Sequence, residues 1–130
     1  RLGELLLASE AIAADGTSRA LGAGERIAAD QSLLAALQRA APDVRCGPIV
    51  SSDLFYEVGE QRFAKWREGG ALAVEMEAAA LFAVGQRRGI PVACALAITD
   101  VLTSERERID PAALSQTGLA VGRLGLSALL

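Results

Sequence analysis

Three groups of residues in this sequence have the types and spacing to do chemistry. The first is Val74-Glu75-Met76-Glu77-Ala78-Ala79-Ala80, where two carboxylates flank a methionine just ahead of a small-residue run. A carboxylate in such a place can accept two hydrogen bonds from a vicinal diol such as that of a ribose, and the start of a helix stabilises its charge. The plainer reading is a pair of first-turn acids on an exposed helix. The second is Asp100, at the end of the apolar run 92–99. Ligands of α/β sheets gather at strand ends, and burial there raises a carboxyl's pKa until it can donate a proton near neutrality. The plainer reading is a turn or capping Asp. The third is Ser51-Ser52-Asp53-Leu54-Phe55-Tyr56. Its aromatic pair can wall a flat ligand, or can simply be two core aromatics.

These groups need a frame, and the rest of the chain supplies one. Residues 5–12 and 44–51 read as strands, with Gly47-Pro48 marking a bulge or an edge in the second. Between them, Asp15-Gly16-Thr17-Ser18 reads as a turn. Residues 30–41 read as a helix with Asp30 as N-cap, leucines at helical spacing and Pro42 as its stop. Residues 61–68 suggest a short helix closed by Gly69-Gly70, and 71–74 a brief strand. Residues 75–88 suggest a helix capped by Gly89. The run 92–99 has the pattern of a strand buried on both faces and central in its sheet. Residues 103–110 make a charged loop, in which Glu105-Arg106-Glu107-Arg108 reads as a solvated face. Asp110-Pro111 opens a last helix. Strands alternating with helices predict an α/β fold.

Composition narrows the function. The 130 residues fit one domain, and 13 Lys and Arg against 16 Asp and Glu give a net charge of −3. That balance speaks against nucleic acid as a partner. No apolar run is long enough to span a bilayer, and no signal peptide opens the chain. The absence of histidine excludes histidine-dependent triads and the usual zinc sites, so no metal is expected. Cys46 and Cys94 lie in strand-like stretches without a CxxC, the pattern of two buried thiols in a reducing cytoplasm. Gly22-Ala23-Gly24 is too short for a phosphate cradle and has no helix after it. The chain opens on Arg1, runs at once into Leu5-Leu6-Leu7 and ends on Leu129-Leu130, which suggests part of something longer.

Taken together and in order, these motifs resemble the nucleoside phosphorylases of the purine/uridine phosphorylase type. Gly47 to Tyr56 is similar to the strand-and-aromatic segment of that family. Val74 to Ala80 resembles its most specific signature, and Ile98-Thr99-Asp100 its terminal acid motif. The resemblance covers nearly the whole chain and implies a three-layer α/β fold with a mixed central sheet, of which this is the C-terminal portion without the phosphate-binding N-terminal half. It also implies reversible phosphorolysis of a nucleoside to free base and ribose 1-phosphate, with phosphate as co-substrate and no other cofactor. Residue by residue, Glu77 would bind the ribose hydroxyls, Met76 would pack on the sugar and Glu75 would shape that wall. Phe55, beside Tyr56, would flank the base, and Asp100 would protonate purine N7. Arg106 or Arg108 would serve as the arginine that follows the acid, at shorter spacing than in the family. Gln61-Arg62 resembles the pair that reads uracil, while Asp100 favours purines; the reading leans to purine. Family members assemble as dimers or as trimers of dimers in the cytoplasm, and the chain alone is expected to lack turnover. A nucleosidase of the same fold, acting on methylthioadenosine, AMP or futalosine, is the alternative, and a non-catalytic nucleoside-binding module is a second.

Overall fold

The computed structural model describes residues 1–56, 59–102 and 106–130. Its frame is a five-stranded mixed sheet built around β1 (Leu5–Ala14). One edge of β1 pairs in parallel with β3 (Arg45–Ser52), which pairs in parallel with β4 (Ala73–Glu75). The other edge is shared by two short antiparallel strands. β5 (Cys94–Ala97) lies against residues 5–8 of β1, and β2 (Arg26–Ala28) against residues 10–12.

A change of side-chain parity along β1 explains how both faces of the sheet are filled. The β1–β3 register shifts between Ala8 and Glu10, opposite Gly47 and Pro48. The extra residue, Ser9, bulges out of β1, so Leu6, Ala8 and Ala11 all join one core although a regular strand would place Ala11 opposite the other two. The bulge expected at Gly47-Pro48 is thus present on the facing strand, and β3 itself is interior rather than an edge.

That core is closed by α4 (Ala78–Arg88), whose Ala78, Ala79, Phe82 and Ala83 pack with Ile27 and Ile49. On the opposite face Leu7 meets Leu34 and Leu37 of α2 (Gln31–Ala40) and Leu124 of α5 (Pro111–Ser127). The expected three layers are there. Both outer helices start where the sequence says. Asp30 accepts hydrogen bonds from the Ser32 and Leu33 amides, and Asp110 from those of Ala112 and Ala113.

Three expectations are corrected, and one strand is added. The turn at 15–18 is a short helix, α1 (Gly16–Ala20), because the Asp15 carboxylate accepts the Ser18 N–H and nucleates it. β2 was not foreseen, since three residues carry no periodicity. The helix expected from residue 75 starts at Ala78, after Glu75 has ended β4. Finally, the run 92–99 yields only β5, half-buried and paired with β1 alone among the described residues, because it returns antiparallel along an edge that β2 already shares. α3 (Glu60–Glu68) and a small ladder of β6 (Asp100–Val101) with β7 (Glu107–Arg108) complete the frame, so part of the expected charged loop is paired. Residues 103–105 of that loop lie outside the described residues.

Gly85 shows how tightly α4 is held. A Cβ there would lie 2.6 Å from Val92 Cγ2 and 2.8 Å from the Ile90 carbonyl oxygen. The carbonyl is backbone and cannot rotate away. Gly85→Ala is therefore expected to destabilise by about 1–3 kcal/mol despite alanine's higher helix propensity. Urea denaturation would read this as a lower midpoint, and an unchanged midpoint would mean that the 90–92 segment yields freely.

Candidate active site

The candidate site forms where β3 and β4 end side by side. Ser51 and Glu75 are register partners. The Ser51 hydroxyl donates to Glu75 Oε1 and accepts the Ala79 N–H at 2.8 Å. Glu75 Oε2 accepts the N–H groups of Glu77 and Ala78, each at 2.7 Å. Glu75 therefore caps α4 from the preceding strand, and Met76 and Glu77 are carried on the short turn between the two elements. The two acids that read as equals in sequence have different environments: Glu75 is engaged, whereas Glu77 makes no capping bond to the helix.

The turn borders a cavity of about 530 Å³, lined among others by Phe55, Glu75, Met76, Glu77, Asp100 and Arg106. Six of the ten residues given roles from sequence thus meet in one space. Tyr56 does not line it; it is exposed and packs its edge on Phe55, ring centroids 4.8 Å apart. Gln61 and Arg62 do not line it either. Both lie on α3, whose cavity-facing side is formed by Phe63, Trp66 and Arg67, one helical turn apart. Phe63 and Trp66 were not foreseen, although an i, i+3 aromatic pair on an otherwise polar helix is a readable signal.

Asp100 differs from its expectation. Burial does push its carboxyl upward, but hydrogen bonds from Thr99, Arg108 and Arg106, together with the positive charge of Arg106, outweigh that push and hold it below the usual aspartate value. Thr99 Oγ1 is 2.9 Å from Oδ2, and the Nε atoms of Arg106 and Arg108 lie 3.0 and 3.2 Å from Oδ1. Arg106 also lays its guanidinium over Phe55, 4.9 Å from the ring centroid, whereas Arg108 does not border the cavity. Of the two candidate arginines, only Arg106 touches both the acid and the aromatic wall.

A sequence model described as the phosphorylase superfamily matches residues 1–121. The chain belongs to that superfamily. It is 36% identical over 94 residues to a guanosine phosphorylase of Halorubrum lacusprofundi, covering 68% of this chain and 39% of the relative. It is 37% identical over 87 residues to a DeoD-type purine nucleoside phosphorylase of Shewanella denitrificans, covering 63% and 37%. A DeoD-type enzyme of Myxococcus xanthus is 41% identical over 71 residues, covering 54% and 30%. The chain thus spans well under half the length of these relatives.

Cys94, at the start of β5, is close enough to the two acids to feel their charge. Burial, with Glu75 and Glu77 adding negative charge nearby, pushes its thiol up to about 12. Cys46 is raised by burial as well. Since the thiolate is the reactive form, Cys94 is expected to resist alkylation in the folded protein at pH 8 and to label rapidly once urea unfolds it. Both thiols are half-buried rather than, as expected, fully buried; mass spectrometry of iodoacetamide-treated protein checks the prediction, and rapid labelling of the folded form would contradict it. Among the described residues no cluster of three His, Cys, Asp or Glu could hold a metal, and no helix is long and apolar enough to cross a membrane.

Proposed function

We propose that this chain forms the nucleoside-binding side of a purine nucleoside phosphorylase, which cleaves the glycosidic bond with phosphate to give free base and ribose 1-phosphate. The observation that carries the reading is the convergence of Phe55, Met76, Glu77 and the Asp100–Arg106 pair on one cavity. Each has a task in that reaction. Phe55 flanks the base, Glu77 accepts from the ribose hydroxyls, and Met76 packs against the sugar. The reaction breaks the bond from C1′ to the base and forms one from C1′ to a phosphate oxygen, while positive charge develops on the sugar. The base leaves with a proton on N7, and Asp100 is the donor. The printed names of the relatives, guanosine and purine nucleoside phosphorylase, support the purine assignment. The position of Gln61 and Arg62 away from the cavity speaks against uracil recognition by that pair.

Phosphate is the reactant that this chain's residues do not account for. The activity is therefore proposed for the protein expressed from its complete coding sequence, with the phosphate loop outside the residues described above. In the same reading the protein is cytoplasmic, serves nucleoside salvage and works as a homo-oligomer, a dimer or a trimer of dimers. The test is turnover of inosine, guanosine and uridine with and without inorganic phosphate. Phosphate-dependent cleavage of the two purine nucleosides is expected. Equal cleavage in phosphate-free buffer would make the protein a nucleosidase, and uridine as the best substrate would overturn the purine assignment.

A further inference from the structure

We infer that Ser51 is a positioning residue that, through Glu75, sets the sugar-binding carboxylate of Glu77, an inference that rests on the reading of Glu77 as the diol acceptor. Ser51 is fully buried at the end of β3, and its one hydroxyl joins three elements. It donates to Glu75 at the end of β4 and accepts the Ala79 N–H at the start of α4. Glu75 in turn takes the Glu77 and Ala78 N–H groups. Three of the roughly four acceptor positions of the Glu75 carboxylate are thus filled from within the protein, which leaves it little to offer a ligand.

The consequence falls on Glu77. A helix start leaves several N–H groups without partners, and the nearest acid commonly folds back to satisfy them. Here the amides of residues 77, 78 and 79 are already occupied, two by Glu75 and one by Ser51. Glu77 therefore makes no capping bond, and its side chain lines the cavity. Without the Ser51 hydroxyl, the Ala79 N–H and Glu75 Oε1 lose their partner in a buried place, and Glu75 gains freedom to turn. The backbone of residue 77 hangs from that carboxylate, so the loss moves Glu77 relative to the sugar and leaves the base wall of Phe55 untouched.

The effect should accordingly be read as sugar selectivity. Calorimetry on the protein expressed from its complete coding sequence would compare inosine with 2′,3′-dideoxyinosine for Ser51→Ala, Glu75→Gln and Glu77→Gln. Glu75→Gln keeps the shape and one acceptor oxygen, so it serves if Ser51→Ala does not fold. Both clamp variants are expected to weaken inosine about tenfold while changing dideoxyinosine by less than about twofold. Equal losses on the two nucleosides, or no loss on either, would overturn the positioning role and leave Ser51 a purely structural residue. If Glu77→Gln itself fails to discriminate the two ligands, it is the diol reading of Glu77 that falls, and the clamp inference falls with it. Discrimination by Glu77→Gln without discrimination by Ser51→Ala or Glu75→Gln would overturn the clamp alone.

Discussion

Replacing Asp100 by Asn is expected to lower turnover of inosine by about a hundredfold or more, with a much smaller change in inosine binding. The amide keeps the size of the side chain, with its oxygen for the arginines and its NH2 group to donate to Thr99 Oγ1, so the β6–β7 ladder should survive. It cannot give up a proton to the departing base. The structure adds a condition to this role. Burial pushes the Asp100 carboxyl upward, but donors from Thr99, Arg108 and Arg106 outweigh that push and hold it below the usual aspartate range. An ionised carboxylate is no acid. In the proposed reading a base against Phe55 would compete with the guanidinium of Arg106 for the same ring and would cover Asp100 from water. Loss of a cationic donor and loss of water both raise a carboxyl's pKa. In the proposed reading the acid would therefore take up its proton on substrate binding.

The pH dependence follows with a definite sign. If Asp100 is the acid as proposed, its protonated form is the active one, so rate falls as pH rises through its pKa. kcat/KM reports the free protein, where that pKa is lowered, and kcat reports the complex, where a covering base would raise it. kcat should therefore hold its plateau to higher pH than kcat/KM, and Asp100→Asn should remove this difference along with the rate. Stability runs the other way. A carboxyl with a depressed folded-state pKa stabilises above its unfolded value and loses that contribution as pH falls through the folded value. Activity profiles in which the two limbs coincide, or an unchanged rate in the Asn variant, would remove Asp100 from proton transfer.

How much of this was legible beforehand depends on which force sets each feature. Helix starts at Asp30 and Asp110 were readable because capping is a local bond between a side chain and amides two or three residues on. β1, β3 and α4 were readable because each buries enough apolar surface for its period to show. β2 was not, having three residues. The position of the run 92–99 was misjudged for a different reason. An unbroken apolar run reports burial, whereas sheet order is decided by which edge is free, and that is a property of other strands. In the site, the Glu75–Met76–Glu77 motif pointed to a border of the cavity but not to the division of labour within it. That division depends on Ser51, 24 residues away, and the pairing of β3 with β4 was needed to bring its hydroxyl in. Asp100 was misjudged on charge because Arg106 and Arg108 read as a solvated loop. Only the β6–β7 ladder shows that alternate residues of that loop return to the acid.

The sugar side gives the other large effect. Glu77→Gln is expected to weaken inosine by roughly ten- to a hundredfold, the size of one or two hydrogen bonds to a charged acceptor at about 1.5–3 kcal/mol each, offset by the amide oxygen that remains. The same variant should leave 2′,3′-dideoxyinosine nearly unchanged, since that ligand has no diol to lose. The contrast separates a bond to the sugar from a general disturbance of the turn, which would penalise both. It also bears on rate. As the glycosidic bond opens, positive charge grows on the sugar, and a carboxylate beside it stabilises that state more than the ground state. Glu77→Gln should thus lower kcat as well as raise KM, and dideoxyinosine, though bound equally by both proteins, should turn over more slowly in the variant. A loss confined to KM would assign Glu77 to binding alone, and equal penalties on both nucleosides would take it out of contact with the ribose.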